Sequence, residues 1–595
     1  MIAMIKRVGD SYKHNFALIA FGPFLKIIEA FFDLLIPLIM KAVIDLAGGS
    51  TPSGLSAFVR FFNPSGSEAG DALVGGIIIL IMGIVGYAIT MVSQYLAAKA
   101  SVNVGTEVRG SLYRKALSLS KSEREKIGNG RLLTLINSDS YQLQHGVLLF
   151  VRLVVRAPFI LIGSLVISYI LDWKIGLAFT AIVPIIFIIN LVILGISSKK
   201  YVAIQSDLDD LSNNTSEVSD GARVIRASNQ QEQENAKFAN KNESYMQKSV
   251  RVNRLNSLVN PLTFAVTSSV LIAIVFIFKN ALLNEHDIKL ASTIIAETAY
   301  LSQIFFVVVQ LSQVMVEIVK ASVSRKRIDQ VLAVEPEIVN SNEAKTSDIE
   351  VGDKLIKFEH VDFAFDGASS NFLNDLNFEI RKGETLGIIG GTGSGKSTVI
   401  NLIERFYEVS NGQILYKGIP LQEYDLNALR NDIGLVNQKS SLFNGTIKEN
   451  YLMSNKAASD EDIVEALKQA EAYEFVSKYE DGINHPVKEG GSNFSGGQRQ
   501  RLCIGRALVR KPELLILDDA TSALDLLTDK KIRNNIANLK DMTKVIVSQR
   551  VSTIQSADFI IVLEGGKVVG QGKHKDLMNE CPIYREIYET QVKKG

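Results

Sequence analysis

Two hydrophobic rhythms divide the chain. Up to about residue 325 the apolar residues come in long stretches, and beyond about 350 in short, strand-length runs punctuated by glycine. A bilayer core takes roughly 20 apolar helical residues to cross. Six stretches have that length, near 16–45, 72–98, 147–170, 174–197, 256–283 and 290–319. The density is clearest in "ALVGGIIILIMGIVGYAITMV" and "IGLAFTAIVPIIFIINLVILGI"; the first stretch is interrupted by Lys26, Glu29 and Asp33, which blurs its edges.

Charge between the stretches orients them. Arg109, Arg114, Lys115, Lys121, Arg124, Lys126 and Arg131 separate spans two and three, and Lys199 to Arg254 contribute a second basic cluster between spans four and five. The segment between spans one and two carries only Arg60. Cationic loops stay on the cytoplasmic side, so the N-terminus, both long connections and everything after span six are expected there. "RGSLYRKALSLSKSE" keeps its apolar residues at helical spacing, which predicts that the connections continue as helices rather than loops. The polar stretch "VNSNEAKTSDIEVGDK" reads as a linker. The expected organisation is a membrane domain over 1–325, a linker over 326–350 and a second domain over 351–595.

Composition agrees with a chain partly in lipid: 47% hydrophobic and 21% charged residues, with a mean hydropathy of +0.16. A net charge of +1 gives no electrostatic footprint for nucleic acid, so no such partner is expected. Cys503 and Cys581, far apart and with no histidine at metal-ligand spacing, read as incidental buried thiols. "MIAMIKRVGDSYKH" lacks the short apolar core and small-residue site of a cleaved signal.

In the second half, "ETLGIIGGTGSGKST" is a strand, a glycine-rich turn and a helix start. Gly390, Gly391, Thr392, Gly393, Ser394, Gly395, Lys396 and Ser397 fit GxxxxGK[ST], with Thr398 next. Glycines there let backbone N–H groups close around phosphates, Lys396 brings charge to the β- and γ-phosphates, and the helix dipole adds to it. ATP with Mg²⁺ is the expected ligand, Ser397 supplying a metal oxygen. Asp518 closes the apolar run "LLIL", which suits a strand buried on both faces. An acid at the end of such a strand is suited to the Mg²⁺ shell. Ahead of another helix lie Ser495, Gly496, Gly497 and Gln498, a second anion site that one ATP in one chain does not need. Two chains facing head to tail would each lend this site to the other's nucleotide.

The ordered set resembles a half-size ABC exporter of the B-family multidrug type over nearly the whole length. The resemblance implies a six-helix transmembrane domain (α) fused to an α/β P-loop ABC ATPase domain. It assigns Phe365 in "VDFAF" to adenine stacking, Gly390–Ser397 to Walker A and Gln438 in "GLVNQKSSLFNGTIKEN" to the Q-loop, close to the metal. It likewise assigns "VKEGGSN" to the X-loop, Ser495–Gln498 to the signature, Asp518 to Walker B and "SALD" to the D-loop. "GNGRLLTLINSD" and "ARVIRASNQQEQE" resemble the intracellular loops whose coupling helices dock on the ATPase domains.

Two positions depart from the family. The residue after the Walker B acid is Glu in active members, where it polarises the attacking water; here it is Asp519. The switch histidine's position holds Gln549, which can donate a hydrogen bond but carries no charge. Loss of a general base removes roughly 10²–10⁴ in rate. Both changes beside an intact SGGQ resemble the degenerate-site subunit of bacterial heterodimeric exporters. The resemblance then implies a partner half-transporter with a Walker B Glu and a switch His, in the bacterial cytoplasmic membrane. A slow homodimer, a lipid flippase and a regulatory ATP-binding subunit are the alternatives. Within the spans, Glu29 with Asp33, Arg152 with Arg156, and Gln303 with Gln310 and Gln313 either pair between helices or line a path for amphipathic substrates. Phe305 and Phe306 suit an apolar ligand as well as packing. Nothing in the sequence names the substrate.

Overall fold

The computed structural model describes residues 9–52, 54–63, 67–279, 288–340, 345 and 353–592. The N-terminal eight residues, the end of the fifth span and most of the polar linker lie outside the described residues. The chain divides into two compact units, one of 1–116 with 130–334 and one of 117–129 with 335–595.

The first unit is built from long helices: α1 (Gly9–Ala47), α2 (Glu68–Ser118), α4 (Asn129–Leu171), α5 (Trp173–Asp220), α7 (Gln231–Ser257), α8 (Val259–Ile277) and α9 (Ile288–Leu332). Among the described residues, five helical runs are long and apolar enough to cross a membrane. Helix α1, which carries Lys26, Glu29, Asp33, Lys41 and Asp45, is not counted among them. It is nonetheless one continuous helix over the whole of the first expected span, with Pro23 and Pro37 inside it. The connections are helical, as their spacing predicts. The 51 residues of α2 reach about 75 Å at 1.5 Å per residue, far beyond a bilayer core of about 30 Å.

Helix α4 carries two π-turns, Leu135–Asp139 and Phe150–Val154, the second of which contains Arg152. Charges of the first and third spans pair: Arg156 bonds Asp33 and lies 3.7 Å from Glu29, which is also paired with Lys26. Gln303 donates to the Asp33 carbonyl at 2.9 Å. Charges within membrane spans commonly pair with one another or with backbone carbonyls in this way.

The second unit is an α/β domain. Strands β3 (Thr385–Gly390), β6 (Ile433–Val436), β9 (Leu514–Asp518), β10 (Thr543–Val547), β11 (Phe559–Glu564) and β12 (Lys567–Gly572) form a sheet in the order β12-β11-β3-β10-β9-β6. It is parallel apart from the β11–β12 pair. The central strands are continuous apolar runs because both faces are covered: Leu514 to Leu517 are all buried. An antiparallel sheet, β2-β1-β4-β5, is made from β1 (Lys354–Phe363), β2 (Leu373–Arg381), β4 (Asn411–Tyr416) and β5 (Ile419–Pro420). Helix α10 (Lys396–Ile403) packs through Val399, Ile400 and Leu402 into the core these sheets share. A second core gathers α11 (Asp460–Gln469), α12 (Gly496–Leu508) and α13 (Leu526–Ala537) through Ile463, Leu467, Leu502, Ile504 and Ile532. Cys503 and Cys581 are both buried thiols without a disulfide, as expected.

Residues 117–129 belong to this second unit, and their short helix α3 (Lys121–Ile127) explains why. Ser120 and Glu123 close a capping box at its start. Around it Ser122 donates to Asp366 at 3.1 Å and Lys126 pairs with the same carboxylate. Lys121 reaches Asn401 on α10 at 3.3 Å, and the Tyr407 hydroxyl donates to Glu125 at 3.0 Å. The residues that make these contacts, 121–126, precede the stretch "GNGRLLTLINSD" for which docking is expected.

Candidate active site

Parallel strands with helical crossovers leave a crevice at their carboxyl ends, and the site residues collect there. Register fixes this: Val547 is opposite Asp518 on one side and Ile388 on the other, while Val436 is opposite Leu517. The residues that follow β3, β6, β9 and β10 thus emerge along one edge. They are the loop 390–397, Gln438, Asp519 and Gln549.

The loop after β3 turns into α10 through Gly393 and Gly395, whose φ of +80° and +103° favour glycine. A Cβ on Gly391 or Gly393 would meet nothing within 4 Å, so the loop's outer face is open to a ligand. Lys396 curls over it, donating to the carbonyls of Gly390 at 2.9 Å and Gly391 at 2.7 Å. Burial lowers its pKa, with Asp518 and Asp519 opposing that shift. Ser397 donates to Asp518 Oδ2 at 3.2 Å. Burial raises the Asp518 pKa, and the neighbouring Asp519 adds to it while Ser397 and Lys396 oppose. A hydroxyl and a carboxylate in contact beside a phosphate loop are the hard oxygen donors that Mg²⁺ takes, so the donor set fits Mg·ATP. The metal, when bound, would neutralise phosphate charge. Thr398 is buried in the first turn of α10.

Asp519 adopts φ +47°, a left-handed conformation, and its N–H donates to Val547 O at 2.9 Å. Gln438 and Gln549 are exposed. Phe365 is 37% exposed in a cluster with Phe363, Phe372 and Tyr407, ring centroids 4.9–5.8 Å away.

The signature stands apart from this edge, at the start of α12. Ser495 caps the helix: its hydroxyl accepts from Gln498 N–H at 3.3 Å, and Gln498 Oε1 accepts from Ser495 N–H at 2.9 Å. Gly496 has open space where a Cβ would stand. Ser495 and Gln498 bond to each other and not to the loop at 390–397. The "VKEGGSN" segment before them is held by Asn493, which accepts from Lys488 N–H at 3.0 Å.

Two contributors escaped sequence reading. Gln591, on the C-terminal helix α14 (Pro582–Val592), donates to Gln549 O at 2.7 Å and accepts from Val551 N–H at 2.9 Å. It clamps the switch loop from 42 residues away, and no motif marks it. Gln500, two positions past the signature on α12, belongs to no motif and bonds the Asp519 carbonyl at 3.4 Å.

This geometry, a P-loop and acid edge on a sheet with a glycine-capped helix beside it, defines an ATP-binding-cassette ATPase fused to a membrane-spanning helical unit. The ABC transporter family model matches residues 373–522, and the ABC transporter transmembrane region model matches 19–308. An uncharacterized ABC transporter ATP-binding protein of Mycobacterium tuberculosis is 29% identical, with 99% of this chain and 98% of that protein covered. A putative ABC transporter ATP-binding protein of Mycoplasma genitalium is 30% identical, covering 96% of each. The ATP-dependent lipid A-core flippase of Haemophilus influenzae is 30% identical over 84% of this chain and 85% of its own. A bacterial Atm1-family ABC exporter solved with ATP bound superposes with a TM-score of 0.78 at 21% identity, covering 96% and 98% of the two chains. The chain belongs to the ABC transporter family as a half-size exporter, a multi-pass membrane protein with a cytoplasmic ATPase domain.

Proposed function

We propose that this chain is the degenerate-site half of a heterodimeric exporter of amphipathic small molecules. Its residues 390–398 with Gln438 and Asp518 hold Mg·ATP, Phe365 faces the adenine, and the partner's signature closes over the nucleotide. Its own Ser495–Gln498 completes the hydrolysing site on the partner's Walker motifs. The observation that carries this reading is the pairing of β9 with β10, whose ends at Asp518 and Val547 lie opposite each other and release Asp519 and Gln549 along one edge. Both groups that would act on the attacking water are replaced together, one by a shorter acid and one by a neutral amide. A catalytic side chain short by one methylene misses the roughly 0.5 Å tolerance of a working site. Two-chain assembly is further supported by α6 (Ala222–Ala227), the helix of the second intracellular loop, which has no buried residue and leaves Val224 68% exposed. In a dimer it is the surface a partner covers.

The test is asymmetric mutation in the purified complex. A Walker B Glu→Gln change in the partner abolishes ATP turnover, whereas Asp519→Asn leaves it within about twofold. Near-total loss with Asp519→Asn overturns the reading. Lipid flipping is the second reading for the substrate, favoured by the lipid A-core flippases among the relatives. Stimulation of the complex's ATPase by lipid A-like glycolipid but not by amphipathic drugs would select it.

A further inference from the structure

We infer that Gln500 is a positioning residue that ties the signature helix to the backbone of the base position, so that the two nucleotide sites served by this chain respond together. The inference rests on the shared-site reading above and assigns the link within it. Gln500 lies on α12 and is 1% exposed. Its amide is used at both ends: Nε2 donates to the Asp519 carbonyl at 3.4 Å, and Oε1 accepts from Ala523 N–H at 3.1 Å.

What it holds is a conformation that does not hold itself. Asp519 is a non-glycine residue at φ +47°, a posture that persists only where the surroundings over-determine it. Here the determinants are Val547 O on its N–H, and Ser522 N–H with Gln500 on its carbonyl. The side-chain direction of Asp519 therefore depends on a residue of the signature helix. The D-loop is held to the same helix turn: a Cβ on Gly497 would stand 3.4 Å from Ala523 O and 3.5 Å from Leu524. When α12 shifts to meet the partner's nucleotide, Gln500 moves the Asp519 carbonyl and the Ala523 N–H with it. Hydrophobic packing of α12 alone would not transmit that shift, because packing does not fix a carbonyl's direction.

The complex of this chain with its partner half tests the link. Gln500→Met keeps the length and loses both hydrogen bonds; Gln500→Glu, held neutral by burial, keeps the acceptor and offers an O–H in place of the amide donor. Three quantities are read: turnover against ATP concentration, photolabelling of this chain by 8-azido-ATP, and the thermal midpoint. Gln500→Met should lower kcat by about 10-fold, within the range seen for residues of a coupling network. It should also bring the Hill slope towards one and shift half-saturation of photolabelling by about threefold; Gln500→Glu should fall between it and wild type. If Gln500→Met lowers the midpoint sharply, Gln500→Glu decides. A fall in kcat with Hill slope and photolabelling unchanged overturns the inference, as does wild-type behaviour of both variants. Survival of turnover in the partner's Glu→Gln variant would instead defeat the shared-site reading, whatever Gln500 does.

Discussion

The Walker B edge and the signature turn, the two places where the proposed function sets this chain against nucleotide, are equipped unequally. At the signature, a hydroxyl, two glycines and an amide close a capping box and leave open space outside Gly496. At the edge, the metal-side groups Ser397 and Asp518 are in contact, but the water-side positions carry Asp519 and Gln549. The difference separates two tasks that share one domain. Holding phosphate and metal needs only a loop, a cation and hard oxygens, all of which are present. Splitting the bond needs a base that reaches the attacking water, and Asp519 is one methylene shorter than the Glu of the proposed partner.

The largest expected break of this comparison is Gly496→Asp. A Cβ there meets nothing within 4 Å, so the fold should tolerate it, yet in the proposed complex a carboxylate would face the partner's nucleotide. Loss of one transition-state donor costs about 10²–10³ in kcat, and the complex's turnover should fall by at least about 100-fold. Next is repair: Asp519→Glu with Gln549→His should raise hydrolysis by the chain purified alone, up to about 100-fold, in a phosphate-release assay. No gain would mean that the edge is limited by something besides reach. Smaller again is Gln591→Ala, which frees the switch loop; ATP affinity at this chain's own site should weaken about fivefold, the worth of a net hydrogen bond of about 1 kcal/mol, read by photolabelling.

The smallest is a pH effect beside α10. Burial pushes Glu404 up to about 8, with Arg430 and Lys121 opposing and Asp518 adding. Its Oε2 has no hydrogen-bond partner. A carboxyl whose folded pKa is raised contributes stability below its ordinary value of 4.5 that is lost as pH rises towards about 8. Glu404→Gln should flatten the thermal midpoint between those limits.

Local chemistry was the legible part of the sequence. The loop 390–397, the acid closing "LLIL" and the hydroxyl-glycine helix start each announce themselves within a few residues, because each is built from neighbours. The long apolar stretches were equally plain, and even α1, with its charges, proved a continuous helix. What could not be read depends on distant partners. That Asp519 is left-handed with its N–H on Val547, and that Gln591 grips residue 549, follow from how β9, β10 and α14 meet. The membership of 117–129 in the ATPase unit is of the same kind: it arises from Asp366, Asn401 and Tyr407, far along the chain.

The burial of both cysteines has a practical side. Cys503 and Cys581 are each 4% exposed, and burial raises the Cys503 thiol pKa, so neither competes for a maleimide under native conditions. Leu527, 76% exposed just past the D-loop, can then be changed to cysteine and carry a single spin or fluorescent label. The native chain is thus already a spectroscopic ruler's blank background, against which the approach of two ATPase domains can be timed.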